Sequence, residues 1–299
     1  SCEPCAAGRY AITASLGSCT LCAVGTYSAV VAATSNTCQQ VTAGYYPIKT
    51  ATISTPVSGD WYGITASPDF RSIAAIINNG NVFKSSDSGQ TWTAMTNSGS
   101  RSWRGIASTP DFAKLTATAD NSNILFSVDG GASWSTWTSA GVKGWRGIAC
   151  SPDFSMIVAA ATYTYLCVSY NGGVTWSALT GAGSRQWAGV TASSDFVKMA
   201  ACVQYSTGSI YTSSDSGVTW TALTGAGSRN WQGITSSPDF TKLAATVSNG
   251  NIYISTDSGV TWNSLAGAGS QSWQGITASP DFSKFAAVPL NTGGYIYQS

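Results

Sequence analysis

One spacing dominates this chain. Trp61, Trp103, Trp145, Trp187, Trp231 and Trp273 follow one another at intervals of 42, 42, 42, 44 and 42 residues. Eight positions after each tryptophan stands an aspartate: Asp69, Asp111, Asp153, Asp195, Asp239 and Asp281, each followed by phenylalanine. A period of this length marks one supersecondary unit repeated, and such a unit buries its apolar face only against its neighbours. Six copies therefore demand an array rather than an ordinary mixed core.

The fifth copy shows what one repeat must be. Trp231 to Thr235 has the β-branched and aromatic bias of a short strand. Ser237-Pro238-Asp239-Phe240 is a turn, because proline fixes φ and aspartate bonds its own downstream backbone. Lys242 to Val247 is a second strand, Ser248-Asn249-Gly250-Asn251 a hairpin signal, and Ile252 to Ser255 a third strand. Thr261 to Leu265 makes a fourth, and Ala266-Gly267-Ala268-Gly269 leads to the next tryptophan. Four short strands without a helical period make one propeller blade. The fold class expected is all-β, a six-bladed β-propeller.

The link between the third and fourth strands reads Ser-x-Asp-x-Gly-x-Thr/Ser-Trp. It occurs around Asp87, Asp129, Asp215 and Asp257, and around Asn171 with asparagine in the aspartate place. This phrase resembles the Asp-box (BNR) repeat, whose propellers include sialidases, sortilin-type receptors, xyloglucan hydrolases and photosystem assembly factors. The resemblance implies the fold and a structural role for these five side chains: the acceptor caps turn N–H groups and the glycine takes positive φ. Asn171 keeps the acceptor and drops the charge, as suits a cap rather than a catalyst.

The sixth repeat stops at Ser299, where an Asp box would begin, so its fourth strand is missing. Counting back from Trp61, Ile53 takes the place that Leu223 and Leu265 hold before their tryptophans. Residues 48–55 are expected to supply the outer strand of the last blade, giving a propeller domain over 48–299 without free sheet edges.

Residues 1–47 obey a different rule. Cys2, Cys5, Cys19, Cys22 and Cys38 are interleaved with Gly8-Arg9-Tyr10, Gly25-Thr26-Tyr27 and Gly44-Tyr45-Tyr46. Repeats this short cannot build a core, so cross-links must replace one. Two C-x2-C pairs could hold zinc, but a metal site leaves Cys38 and the third aromatic phrase unexplained. The segment resembles ephrin-receptor-like (GCC2/GCC3) cysteine-rich repeats. That resemblance implies disulfides Cys5–Cys19 and Cys22–Cys38, with Cys2 seeking a partner elsewhere; other connectivities stay open. The start at Ser1-Cys2, without a methionine or an apolar leader, reads as a mature or processed product, or the ordered part of a longer one. An extracellular or cell-surface location follows from the cysteine usage.

Composition narrows the chemistry. The chain has no histidine, one glutamate (Glu3) and a formal net charge of +1, with charged residues at 9 %. The commonest general base and metal ligand is absent, nothing draws the chain to nucleic acid, and no apolar run is long enough to insert in a bilayer. A sialidase-like site needs a Tyr–Glu pair that the propeller lacks. A two-carboxylate glycosidase has only Asp60 and Asp120 outside the repeat pattern. No catalytic residues, cofactor or metal are expected. Trp137, the one tryptophan outside the repeat, is a ligand candidate; Cys150, Cys167 and Cys202 are expected as core thiols, with a Cys150–Cys202 bridge as the alternative.

The candidate binding residues are basic. Arg101, Arg185 and Arg229 share Gly-Ser-Arg loops, Lys143 takes the equivalent place, and Arg104 and Arg146 follow their tryptophans. They are expected to form one basic ring on the face opposite the Asp boxes, suited to carboxylates or acidic glycans. The charge-poor surface also favours association. The leading expectation is a non-enzymatic structural or adhesive subunit of an extracellular assembly or filament, through self-association or other extracellular proteins. The alternative is a glycan- or protein-binding module using the arginine face.

Overall fold

The computed structural model describes residues 9–10, 20–21, 26–27, 39–40, 51–54, 59–205, 207–290 and 295–298. Backbone contacts divide the chain into Ser1–Pro47 and Ile48–Ser299. In the first segment Arg9–Tyr10 pairs with Thr20–Leu21, and Thr26–Tyr27 pairs with Gln39–Gln40, both antiparallel. Cys2 and the expected bridges Cys5–Cys19 and Cys22–Cys38 lie outside the described residues.

The second segment is all-β with short 3-10 turns. In the fifth repeat, Trp231–Ser236, Leu243–Val247, Ile252–Ser255 and Asn263–Ser264 pair in order as an antiparallel sheet. The outer strand is shorter than the sequence suggests. Thr261 is held in the Asp-box turn by Asp257, and after Leu265 the chain tightens into the 3-10 turn Ala266–Ala268. The sixth repeat contributes Trp273–Ala278, Phe285–Pro289 and Tyr295–Gln298. Its fourth strand is Ala51–Ser54, antiparallel to Tyr295–Gln298 with Ile296 opposite Ile53.

Burial explains why the pattern is so regular. Each leading tryptophan is 0 % exposed and sits between its own repeat and a neighbouring one. Trp103, Ile106 and Phe112 pack on Ile76, Val82 and Met95 of the preceding repeat. Trp61, Ile64 and Phe70 of the first repeat share a cluster with Ala286, Val288 and Ile296 of the sixth. Fully burying one such large apolar side chain contributes about 1.5–3 kcal/mol. The phenylalanine of each Ser/Thr-x-Asp-Phe turn takes left-handed φ, as at Phe70 (61°) and Phe112 (59°). That geometry costs about 1–2 kcal/mol per residue; burial of the ring offsets it, with Asp69 fixing the turn by accepting from Ser67 Oγ (2.6 Å) and Arg71 N (3.0 Å).

The glycine two places after each tryptophan lets the innermost strands touch. A Cβ on Gly147 would lie 2.8 Å from the Ala188 carbonyl oxygen, and one on Gly275 2.7 Å from that of Tyr62. The same close approach links successive repeats and joins the sixth to the first.

Two expectations are corrected. Trp137 is no ligand candidate: it is buried, stacked on Phe126 at 4.5 Å and packed against Phe154 and Trp176. It fills the slot that Met95 and Leu179 occupy at the ends of their outer strands, so it is core. The Cys150–Cys202 bridge is absent; both are free thiols, and burial pushes each up to about 12.

Candidate binding site

The Asp boxes are spent on their own turns. Asp87 Oδ1 accepts from Ser85 Oγ (2.7 Å) and Thr91 N (2.9 Å), Oδ2 accepts from Thr91 Oγ1 (2.5 Å), and Gly89 N–H donates to Ser85 Oγ (2.8 Å). Asp129, Asp215 and Asp257 repeat this network. The threonine or serine hydroxyl first, then backbone N–H donation, holds Asp87, Asp129 and Asp215 down to about 2. Asn171 Oδ1 accepts from Thr175 N (2.9 Å), but its Nδ2 donates to Thr175 Oγ1 (2.9 Å), reversing one bond. These five groups are engaged in holding their own turns.

The six basic candidates separate into two sets. Lys143 Nζ donates to Ala140 O (2.7 Å), Arg185 Nε to Ala182 O (3.1 Å), Arg229 Nη1 to Ala226 O (2.6 Å) and Arg101 Nε to Ser98 O (3.3 Å). Each tethers the carbonyl that ends a 3-10 turn and lies over the following tryptophan, Lys143 closest at 4.6 Å. Arg185 and Arg229 also cover Tyr211 and Tyr253, each at 4.4 Å. These four side chains act locally, within their own repeats.

Arg104 and Arg146 do something else. They line a cavity of about 360 Å³ among the innermost strands, together with Tyr62, Gln204, Gln232 and Gln274. Asp120, from the hairpin of the second repeat, draws them together: its Oδ2 accepts from Arg104 Nε at 2.8 Å and from Arg146 Nη1 at 3.1 Å. Arg104 also lies over the Tyr62 ring at 4.3 Å. One carboxylate thus serves two guanidiniums, and Arg146 Nε is buried with no hydrogen-bond partner among the described residues. Burial pushes the Arg146 pKa below its ordinary range, while Asp120 pulls the other way. The arrangement leaves one uncompensated positive charge in a partly dry setting, where a second anion interacts more strongly than in water.

Spacing alone did not reveal this cluster. The signal was in the sequence nonetheless. Between an invariant tryptophan and an invariant glycine, one position reads Tyr62, Arg104, Arg146, Ala188, Gln232 and Gln274. A repeat that fixes both flanks and frees the middle has released that middle from packing. Asp120 was visible only as an aspartate outside the pattern.

No family model and no curated protein matches the chain. Solved structures do. A structure of YCF48 bound to D1 peptide aligns with a TM-score of 0.59 at 14 % identity, covering 85 % of this chain and 97 % of that one. The gluconolactonase XC5397 from Xanthomonas campestris aligns with a TM-score of 0.62 at 11 % identity over 83 % and 87 %. The fold is a β-propeller. A GH74 enzyme from Niastella koreensis aligns with a TM-score of 0.59 at 15 % identity, covering 84 % of this chain and 53 % of that one. Propellers this distant share architecture and carry different activities, so the likeness speaks to the fold alone.

Proposed function

We propose that this protein is a non-enzymatic, extracellular binding module: a closed ring of six blades, sealed by the strand Ala51–Ser54, that takes an anionic group of its partner at the axial mouth. The observation that carries this reading is the pairing of Arg104 and Arg146 on the single carboxylate of Asp120, with Arg146 Nε left unpartnered. Guanidiniums offered in this way suit a carboxylate, which accepts two donors from one fork. YCF48, of the same fold, has been solved with a peptide bound, a precedent for propeller recognition of a partner segment. Catalysis gains no support from the Asp-box and turn aspartates, which are bonded within their own loops, and Asp120 is engaged by two guanidiniums.

Isothermal titration with tetraglutamate and tetragalacturonate at low salt tests the reading. Binding of at least one probe that is lost in Arg104→Gln and Arg146→Gln is the expected result. Binding that ignores both substitutions, or none to wild type at millimolar probe, overturns it.

A second reading, a subunit of an extracellular assembly, is favoured by one observation. Val174, Val218 and Val260 occupy the same Asp-box position in three successive repeats and are 67 %, 70 % and 68 % exposed. On a surface so poor in charge, three exposed valines at one repeat position support association. Concentration-dependent sedimentation that disappears in the Val174→Ser/Val218→Ser/Val260→Ser variant is the outcome expected.

A further inference from the structure

The hairpin between the second and third strands carries a left-handed residue at its tip. In three repeats that residue is asparagine: Asn79 at φ 55°, Asn121 at 48° and Asn249 at 55°. Asparagine tolerates this conformation. The third and fourth repeats place tyrosine there instead, Tyr163 at φ 58° and Tyr205 at 80°. A bulky side chain in this region is a conformational outlier, and no core contact compensates it, because Tyr163 is 72 % and Tyr205 52 % exposed.

The two departures are adjacent. Thr162 pairs with Gln186, and Gln204 N–H donates to the Gln186 carbonyl at 3.1 Å, so the residues preceding both tyrosines meet at one point. The interval from Trp187 to Trp231, 44 residues against 42 elsewhere, carries its extra length in the Tyr205 hairpin. Tyr205 is pinned there by its N–H, which donates to Asn230 Oδ1 at 2.6 Å. The neighbouring phenols interact, which pushes the Tyr163 pKa up, and the Arg146 charge acts on both rings. Beside them, Gln186 Oε1 is buried with no hydrogen-bond partner among the described residues. Two exposed rings thus stand on neighbouring hairpin tips, next to Gln204, which lines the cavity together with Arg146.

We propose that Tyr163 and Tyr205 form a stacking platform for a carboxylated sugar, a hexuronate residue of an acidic glycan, with its carboxylate on the exposed part of Arg146. The inference rests on reading the axial mouth as an anion site. A pyranose ring has an apolar C–H face for the phenols, a hydroxyl rim for the amides and, when oxidised, a carboxylate for the guanidinium. An acidic peptide engages the arginines without needing a pair of rings held in costly backbone geometry.

The test replaces each tyrosine by the residue the repeat itself carries. Tyr163→Asn and Tyr205→Asn relieve the backbone, so the melting temperature should hold or rise. Titration with tetragalacturonate should weaken about tenfold in the double variant through loss of two ring contacts, with tetraglutamate and neutral galactotetraose as the other arms. Tetraglutamate, if it binds, should be unaffected by the tyrosine changes, and Arg146→Gln should weaken both acidic probes. Tetragalacturonate bound equally well by the Asn variants overturns the platform and leaves the anion site standing. Wild type that binds tetraglutamate but not tetragalacturonate overturns it as well. Binding indifferent to Arg146→Gln and Arg104→Gln removes the anion site itself, and no binding of any probe removes both.

Discussion

Lys284 Nζ donates to the carbonyl oxygen of Asp69 at 3.0 Å, across 215 residues of sequence. The same contact joins Lys114 to Asp153 and Lys242 to Asp281, each 39 residues apart. The seam between the last and first repeats is thus built like two of the interior ones. Ile296, opposite Ile53 and fully buried, anchors that seam. Ile296→Ala should destabilise the fold by about 2–5 kcal/mol, measured by urea unfolding, whereas a seam that contributes little would leave the midpoint unchanged.

The innermost strands permit no side chain where they touch. A Cβ at Gly147 meets the Ala188 carbonyl oxygen at 2.8 Å, Gly189 Cα at 2.8 Å and Val190 N at 2.9 Å, all backbone atoms that cannot rotate away. Gly147→Ala should cost about 1–3 kcal/mol by overpacking, while Gly141→Ala, which meets nothing within 4 Å but sits at φ 74°, should be penalised through its backbone alone. Thermal melts of the two variants, with and without acidic ligand, separate the effects: only the first lies beside the cavity.

Asp-box carboxylates make stability acid-sensitive in a defined window. Asp87, Asp129 and Asp215 fall to about 2 in the folded protein from an ordinary value of 3.8, the hydroxyl donor being the largest cause in each. A depressed folded pKa contributes stability above the unfolded value that is lost as pH falls through the folded one. The melting temperature should be level from pH 7 to 5 and drop between about pH 4 and 2. Asn171→Asp should add a titrating box and steepen that drop; circular dichroism melts across the range would show it.

Asp120 restrains two cations, and its removal exposes them. Asp120→Asn should lower stability by about 1–3 kcal/mol, because partly buried guanidiniums lose a charged acceptor. It should also raise affinity for tetragalacturonate, since the probe's carboxylate no longer competes with Asp120. Loss of affinity in this variant would instead make Asp120 a positioning group for the ligand.

The repeat told its fold because packing imposed it. Each leading tryptophan must be buried between neighbours, each following glycine must admit a backbone, and each turn aspartate must satisfy its loop; those demands recur, so the sequence shows them as a period. The candidate binding residues were harder to see for the same reason. Arg104 and Arg101 look alike along the chain, three positions apart, yet one turns to the axis and the other ties down its own turn. Trp137 looked spare because it broke the period, although it fills a slot that leucine or methionine holds elsewhere.

By itself, the sequence determined strand-rich repeats of fixed length, saturated Asp-box turns and the absence of histidine chemistry, because these follow from local bonding and residue inventory. Only the tertiary structure decided that Asp120 gathers Arg104 with Arg146, and that the tips bearing Tyr163 and Tyr205 stand side by side. Arg146 comes from the repeat after that of Asp120 and Arg104, and Tyr205 from the repeat after that of Tyr163, so their meeting depends on how the sheets turn about the axis, a geometry that no spacing along the chain encodes.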